Sequence, residues 1–193
     1  TYTLEEKDEF AGIQFSIATA SYTIQSNLSG SFNCTNLAAA VALGRYFDVP
    51  APAIVQALTD YLPAMNRVEW RKTASNQVLL DAYNANPTSM SLSIENFAKW
   101  HKDGWLVLGD MFELGEESAA EHRAIVKLVQ RINMEERCIL VGKHFGRTSW
   151  RGKQFPTTGD LKTYWRENGA PKDAAILLKG SRGIALEQLL PLL

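Results

Sequence analysis

Residues 105–109 read Trp-Leu-Val-Leu-Gly, a short apolar run that ends in Gly and is followed by Asp110. Two further runs have the same character: Cys-Ile-Leu-Val-Gly at 138–142 and Ala-Ile-Leu-Leu-Lys at 175–179. Continuous apolar runs of this length are typical of parallel strands that are buried on both faces. Segments with helical periodicity separate them, so the sequence predicts βαβ units and an α/β fold with a mostly parallel sheet.

The residues around these runs extend the same pattern. Strands are predicted over residues 68–72 and 78–81, on either side of a turn at 75–76. Helices are predicted over residues 87–100, 118–132, 159–168 and 183–190. Ser118 and Glu121 have the spacing of a capping box at the start of the second of these helices. We place a domain boundary near Pro63, which gives a first domain over 1–64 and a second over 65–193.

The first domain has a different composition. Residues 13–17 and 22–25 alternate apolar and polar side chains, which predicts two half-buried strands, and residues 27–30 are predicted as a turn. Helices are predicted over residues 36–47 and 52–61. These elements are too few for a complete domain. The chain starts at Thr1 without an initiator Met, so we expect it to begin inside a larger protein.

Composition excludes several classes of protein. The 193 residues carry a net charge of −1 and are 46% hydrophobic, which excludes a disordered chain and argues against nucleic-acid and anionic-membrane binders. No apolar run approaches the ~20 residues that a membrane-spanning helix needs. Two cysteines, Cys34 and Cys138, are too few for a disulfide framework and fit a reducing compartment.

The loop after the predicted strand 78–81 is rich in hydrogen-bonding side chains. Residues 81–90 read Asp-Ala-Tyr-Asn-Ala-Asn-Pro-Thr-Ser-Met. In an open parallel sheet, ligands bind beyond the carboxyl ends of the strands, so this loop is a candidate site. The alternative is an ordinary turn in which Asn or Asp caps the following helix.

Two other loops follow predicted strands. Residues 109–115 contain Asp110 and Glu113 between glycines, which would suit a cation or a substrate ammonium, or a plain polar connection. Residues 179–183 read Lys-Gly-Ser-Arg-Gly before a predicted helix. Backbone N–H groups at a helix N-terminus, with a Lys and an Arg, could cradle an anion; an ordinary turn is the alternative.

Other binding motifs are absent from the sequence. It contains no G-x-x-x-x-G-K-[ST] phosphate loop and no G-x-G-x-x-G after its first strand. The three histidines, His101, His122 and His144, lack metal-ligand spacing to each other and to the cysteines. We therefore predict structural roles for all three and no metal site.

Four motifs together resemble a known family. They are Gly-Ser-Phe-Asn-Cys-Thr-Asn-Leu-Ala-Ala at 30–39, the loop 81–90, Leu-Gly-Asp-Met-Phe-Glu-Leu-Gly at 108–115, and Leu-Lys-Gly-Ser-Arg at 178–182. In this order they resemble the Mur ligases, and among them the branch that joins D-alanyl-D-alanine to UDP-N-acetylmuramoyl-tripeptide. The resemblance runs from about Gly30 to the end of the chain.

The resemblance implies a fold and a reaction. Residues 1–64 would be the tail of a P-loop-type central ATP-binding domain, and residues 65–193 a Rossmann-like C-terminal domain. ATP would phosphorylate the terminal carboxylate of the tripeptide, and the amine of D-alanyl-D-alanine would attack the acyl phosphate. The enzyme would work in the bacterial cytoplasm, in peptidoglycan synthesis. The missing N-terminal and central domains would supply the phosphate loop and the Mg²⁺ ligands, so the chain alone is expected to be inactive.

The resemblance also suggests roles for individual residues. Asn36 would contact the adenine, with Asn33 beside it; Arg67 would reach the nucleotide phosphates, and Asp81 would bind the ribose hydroxyls. A loop at the interdomain cleft would be shaped by Tyr83, Asn84 and Asn86. Weaker candidates for the D-alanyl-D-alanine pocket are Asp110, Glu113, Lys179, Ser181 and Arg182.

The sequence departs from the family pattern at two positions. Phe32 stands where the family usually has His, and Leu80 where a second Asp often occurs; neither is among the residues assigned above. A ligase-derived module that binds a nucleotide or peptide without catalysis is an alternative, as is a related amide ligase such as a folylpolyglutamate synthetase. The Tyr-Asn-Ala-Asn-Pro loop argues against the latter.

Overall fold

The computed structural model describes residues 2–7, 10–63 and 67–193, with side chains from residue 10 onward. Two compact units make up the chain, Thr1–Ala64 and Met65–Leu193.

The first unit contains an antiparallel sheet and two helices. Its strands are β1 (Tyr2–Lys7), β2 (Phe10–Ile17) and β3 (Ala20–Ser29), in the order β1-β2-β3. Its helices are α1 (Phe32–Tyr46) and α2 (Ala51–Asp60). Ile13, Ile24 and Leu37 are among the apolar side chains that form its core.

The turn predicted at 27–30 is wrong for most of its length, because β3 continues to Ser29. The helix predicted from residue 36 begins at Phe32. Gly30, with φ +96°, turns the chain, and its carbonyl accepts a hydrogen bond from the N–H of Asn33 at 2.9 Å. The side chain of Asn33 also donates to the carbonyl of Ser29 at 2.8 Å. Polar residues in a region predicted to lie outside the helix therefore form its first turn.

The second unit is built on a six-stranded sheet. Its strands are β4 (Glu69–Lys72), β5 (Gln77–Asp81), β6 (Trp105–Gly109), β7 (Cys138–Val141), β8 (Lys153–Phe155) and β9 (Ala175–Lys179). The order is β4-β5-β9-β6-β7-β8. Only β4 is antiparallel to its neighbour; the other pairs are parallel. The predicted mostly parallel α/β sheet is confirmed, although the short edge strand β8 was not predicted.

Three α-helices accompany this sheet: α3 (Pro87–Trp100), α4 (Ser118–Arg131) and α5 (Thr158–Asn168). The helix predicted over 183–190 is wrong. Two 3-10 segments, Arg182–Ile184 and Leu186–Leu192, occupy this region. Ala185 between them has φ +58°, a left-handed conformation that interrupts any continuous helix.

Both faces of the sheet are covered by apolar side chains. Leu106 and Leu108 of β6 pack with α3 and α4 on one face, whereas Val107 packs with α5 on the other. All three side chains are fully buried. Burial of a side chain of this size stabilises the fold by about 1.5–3 kcal/mol. Two-sided burial explains why the strand is apolar at every position rather than at alternate ones.

The starts of two helices differ in how they are capped. The side chain of Asn86 accepts from the N–H of Ser89 at 2.8 Å, and Ser89 Oγ accepts from the N–H of Asn86 at 3.2 Å. This is a complete capping box at α3. The capping box predicted at Ser118 is wrong, because Ser118 is already the first residue of α4.

Candidate functional site

The carboxyl ends of four strands bring the candidate loops to one edge of the sheet. Strand β9 lies between β5 and β6, so Lys179 is in register with both Asp81 and Leu108. The backbones come very close where β6 and β9 end. A Cβ atom on Gly180 would lie 2.8 Å from the Cα of Gly109, so a glycine is needed there and the two following loops lie side by side.

Asp81 and Lys179 form a buried ion pair at this edge. Lys179 Nζ lies 2.5 Å from Asp81 Oδ2, and Ser93 Oγ of α3 donates to the same oxygen at 2.9 Å. Lys179 is 1% exposed and Asp81 7%. A charge this deeply buried needs a partner, and Asp81 supplies it for the Lys179 ammonium. The assignment of Lys179 to the dipeptide pocket stays a prediction.

Asp110 holds the turn that follows β7. Its Oδ2 accepts from the N–H of His144 at 2.8 Å, and its Oδ1 accepts from the N–H of Phe145 at 2.9 Å. The residue is 2% exposed. Gly142 has φ +129°, and a Cβ atom at this position would overlap the Asp110 carboxylate, so a glycine is needed here. Both carboxylate oxygens are thus bonded to the backbone, and the assignment of Asp110 to the dipeptide pocket stays a prediction.

His122 connects the start of α4 to the loop after β6. Its ring is fully buried, and Nε2 accepts from the N–H of Met111 at 3.1 Å. Nδ1 lies 2.6 Å from the carbonyl oxygen of Ser118. Burial lowers the pKa of His122, although its bond to Ser118 and the charge of Asp110 oppose that shift. His122 is one of the buried residues of α4, together with Ile125 and Val129.

Ser181 ties the loop after β9 to the loop after β6. Its N–H donates to the carbonyl of Asp110 at 3.0 Å, and its Oγ accepts from the N–H of Phe112 at 2.9 Å. The residue is buried. Ser181 therefore connects two loops and does not project toward solvent.

Two arginines converge on Tyr83. The guanidinium carbon of Arg67 lies 3.9 Å from the centre of the Tyr83 ring, and that of Arg182 lies 5.5 Å from it. A hydrogen bond from Arg67 and its positive charge lower the pKa of the Tyr83 phenol, and Arg182 adds to the effect. Both arginines are exposed, and neither pairs with a carboxylate within the described part of the chain. We call these three residues the Tyr83 cluster.

Glu113 is one of three exposed acids that follow β6, with Glu116 and Glu117. It has φ +62°, a conformation that costs a non-glycine residue of the order of 1–3 kcal/mol and persists only where the surroundings impose it. Bonds to Met111, Phe112 and Asp110 on its N-terminal side supply that constraint. The loop therefore presents one strained, solvent-exposed carboxylate.

The two asparagines of the loop 81–90 have local partners. Asn84 is exposed, and its Oδ1 accepts from the N–H of the next residue, Ala85, at 2.9 Å. Asn86 caps α3, which is the ordinary role that the sequence left open for it. Of this loop, Asp81 and Tyr83 are the residues that the structure joins to other candidate residues.

In the first unit, the structure places Asn33 and Asn36 on one turn of α1. Asn36 Nδ2 donates to Asn33 Oδ1 at 2.9 Å. Asn33 is buried and Asn36 is exposed. Asn33 thus orients the amide of Asn36, which faces solvent.

Residues 66–182 match the family described as "Mur ligase, glutamate ligase domain". The chain belongs to the Mur ligase family. It is 31% identical over 192 residues to the UDP-N-acetylmuramoyl-tripeptide–D-alanyl-D-alanine ligase of Bacillus subtilis, a match that covers 92% of this chain and 41% of the relative. The chain thus spans about two fifths of the length of the curated relatives that it matches.

Solved Mur ligases have a similar fold. The UDP-N-acetylmuramoylalanyl-D-glutamyl-2,6-diaminopimelate–D-alanyl-D-alanyl ligase of Acinetobacter baumannii superposes with a TM-score of 0.81 at 25% identity, over 96% of this chain and 42% of that one. A MurF ligase of Thermotoga maritima in complex with ADP superposes with a TM-score of 0.75 at 18% identity, over 99% of this chain and 45% of that one. These superpositions and the observed sheet confirm the predicted fold class.

The sequence of this chain did not predict the hydrogen bonds that join the loops at the carboxyl edge of the sheet. His122 and Ser118 are one helical turn apart, and this spacing places them on one face, but the contact with Met111 depends on tertiary packing.

Among the described residues, no group of three or more His, Cys, Asp or Glu side chains could hold a metal ion. In the same part of the chain, no helix is long and apolar enough to cross a membrane. Cys34 and Cys138 are buried, and they are not joined in a disulfide.

Proposed function

We propose that the chain acts as part of an ATP-dependent amide ligase that joins D-alanyl-D-alanine to UDP-N-acetylmuramoyl-tripeptide. ATP transfers its γ-phosphoryl group to the terminal carboxylate of the tripeptide and leaves as ADP. The dipeptide amine attacks the resulting acyl phosphate, the new C–N bond forms, the C–O bond to phosphate breaks, and the amine loses a proton. The names of its relatives support this choice within the Mur ligase family.

The Tyr83 cluster is the observation that carries the proposal. Two guanidinium groups that lack a carboxylate partner in the described residues lie against one tyrosine, and that arrangement suits an anion. Amide ligation through an acyl phosphate is mainly positioning and neutralisation of negative charge. An exposed pair of arginines at the carboxyl edge of the sheet provides such neutralisation.

For the nucleotide, we propose Arg67 as a ligand of the phosphates and Asp81 as a ligand of the ribose. Both described partners of the Asp81 carboxylate bond Oδ2, so Oδ1 is the oxygen assigned to a ribose hydroxyl. Asn36 is assigned to the adenine, oriented by Asn33. We assign Mg²⁺ to ligands outside this chain, and none of the steps assigned here passes through it.

For the dipeptide, we propose Glu113 as the ligand of the ammonium group and Arg182 as the ligand of the carboxylate. They are the two exposed charges among the five candidates. Asp110, Lys179 and Ser181 support the loops that carry them, through the buried bonds described above. D-Alanyl-D-alanine is a zwitterion, so one exposed acid and one exposed base on adjoining loops match its two ends.

The test is steady-state kinetics on the full-length gene product. Glu113→Gln is expected to raise the KM for D-alanyl-D-alanine about tenfold and to leave the KM for ATP within twofold. Asn36→Ala is expected to raise the KM for ATP instead. Glu116→Gln, an exposed acid of the same loop, is the matched control. If the gene product binds nucleotide but never forms the amide, the ligase proposal is wrong, and the alternative of a binding module without catalysis is favoured.

The proposed reaction has a cellular setting. Its product is a nucleotide-linked precursor of peptidoglycan, so we propose a cytoplasmic enzyme of bacterial cell-wall biogenesis, on which cell shape and division depend. Depletion of the gene product should then cause accumulation of the UDP-linked tripeptide. A normal level of the tripeptide in depleted cells would contradict this role.

A further inference from the structure

We propose that His122 is a positioning residue of the site: as a neutral imidazole with its proton on Nδ1, it holds residues 110–117 in the conformation that presents Glu113. We call residues 110–117 the acidic loop. The consequence for catalysis rests on the role proposed for Glu113, whereas the state of the imidazole does not.

The two backbone partners determine the tautomer. The N–H of Met111 can only donate, so Nε2, 3.1 Å away, carries no proton. The carbonyl oxygen of Ser118 can only accept, so Nδ1, 2.6 Å away, carries one. The imidazole is thus a bridge between the first residues of the acidic loop and the residue that follows it. No other tautomer satisfies both bonds.

This bridge determines the shape of the acidic loop because it ties its two ends together. Gly115–Glu117 form a single 3-10 turn between Glu113 and α4. The N–H of Phe112 also donates a hydrogen bond to Ser181 Oγ, which holds the loop in place. Glu113 therefore keeps its left-handed backbone between anchored neighbours, and loss of the His122 bridge would allow it to relax to an ordinary conformation.

Protonation would break the bridge. A proton on Nε2 would face the N–H of Met111, so two donors would oppose each other, and the ring would be drawn to Asp110 Oδ1, 3.6 Å from Nε2. The charged groups around the ring are Asp110 and Glu121, which favour the imidazolium, and His144, stacked 5.3 Å away, which opposes it when charged. Burial outweighs the two acids, and the pKa of His122 is lowered. The loop is therefore held at neutral pH and released in acid.

The test uses nuclear magnetic resonance on the 15N-labelled chain. Long-range 1H–15N correlations report the tautomer of His122, and amide hydrogen exchange reports the bond of Met111. We expect the Nδ1–H tautomer at pH 7.5. As His122 becomes protonated, we expect the protection factor of the Met111 amide to fall at least tenfold.

Variants separate this bridge from general stability. His122→Phe should lower Met111 protection at pH 7.5 and abolish its pH dependence, whereas His101→Gln, in a helix cap elsewhere, should leave both unchanged. The wild-type titration needs no variant, so a misfolded His122→Phe would not remove the test. An Nε2–H tautomer, or Met111 protection that is unaffected by protonation of His122, would overturn the proposal.

Kinetics on the full-length gene product add a second readout. His122→Phe should raise the KM for D-alanyl-D-alanine at least fivefold with the KM for ATP within twofold, whereas a merely destabilised enzyme would lose active molecules without this split. Equal changes in both KM values would overturn the positioning role. If Glu113→Gln has no effect on either KM while the resonance results hold, the ligand assignment to Glu113 fails and the His122 bridge stands.

Discussion

Removal of the Lys179 ammonium should destabilise the second unit far more than removal of a surface charge. The perturbation is Lys179→Met, which keeps most of the length of the side chain and removes its charge. Asp81 would then be a buried carboxylate with Ser93 as its described partner. Truncation of one partner of a buried ion pair typically costs about 3–5 kcal/mol. At roughly 3 °C per kcal/mol for a unit of this size, Tm should fall by about 10–15 °C.

The assay is urea unfolding of the chain, followed by circular dichroism, with a second variant that removes both charges. Asp81→Asn combined with Lys179→Met should be about 1–3 kcal/mol more stable than Lys179→Met alone, because the uncompensated carboxylate is gone. Arg131→Met breaks the exposed pair with Glu95 and should cost about 1 kcal/mol or less.

Equal small effects of Lys179→Met and Arg131→Met would show that an unpaired Asp81 carboxylate costs little. A double variant less stable than Lys179→Met would show that an unpaired buried charge does not cause the loss. In the proposed ligase, the assignment of Asp81 to the ribose predicts that Asp81→Ala raises the KM for ATP. Because this variant would also leave the Lys179 ammonium without its carboxylate, its KM must be compared at equal folded fraction.

Four further outcomes are expected. The pKa of His122 lies below its ordinary value of 6.5 in the folded chain, so the unfolded chain takes up the proton first. The contribution of His122 to stability should be full above about pH 6.5 and should fall as the pH drops below it. Urea midpoints measured across pH would show this fall, and a flat profile would contradict it. Ala185→Gly should raise stability by about 0.5–1 kcal/mol in thermal unfolding, because glycine adopts the positive φ without strain; a lower Tm would count against the left-handed conformation. Burial raises the pKa of the Cys138 thiol, so a thiol reagent should label it only in urea, and rapid labelling of the folded chain would disagree. The 193-residue chain alone should release no ADP in the presence of all three substrates, because its sequence has no phosphate loop; any turnover above background would exclude that reasoning.

The strands of the second unit were predictable because they are buried on both faces. Trp105–Gly109 and Ala175–Lys179 have the predicted bounds, since apolar side chains at every position leave few alternatives to a central parallel strand. Pro87–Trp100 was equally clear, because Pro at its start and the Asn86 cap mark the first turn. Edge strand β8, which is mostly exposed, lacks such a pattern and was missed.

The candidate site residues could be named from the sequence, but their burial and pairing could not. Local sequence showed which loops follow strands, and the family motifs showed that these loops carry Asp110, Glu113, Lys179 and Arg182. The sequence did not show which of these four charged side chains form bonds within the protein. Lys179 and Asp81 are 98 residues apart and meet only because β9 inserts between β5 and β6.

Short-range periodicity and contiguous motifs were enough to predict the class of fold, the position of the candidate loops and the resemblance to Mur ligases. The tertiary structure alone decided which charges face solvent. Burial and pairing are set by strand order, and strand order joins residues from distant parts of the chain. For that reason Glu113, Arg67 and Arg182 are exposed, whereas Asp110, Lys179 and His122 are buried and bonded within the second unit.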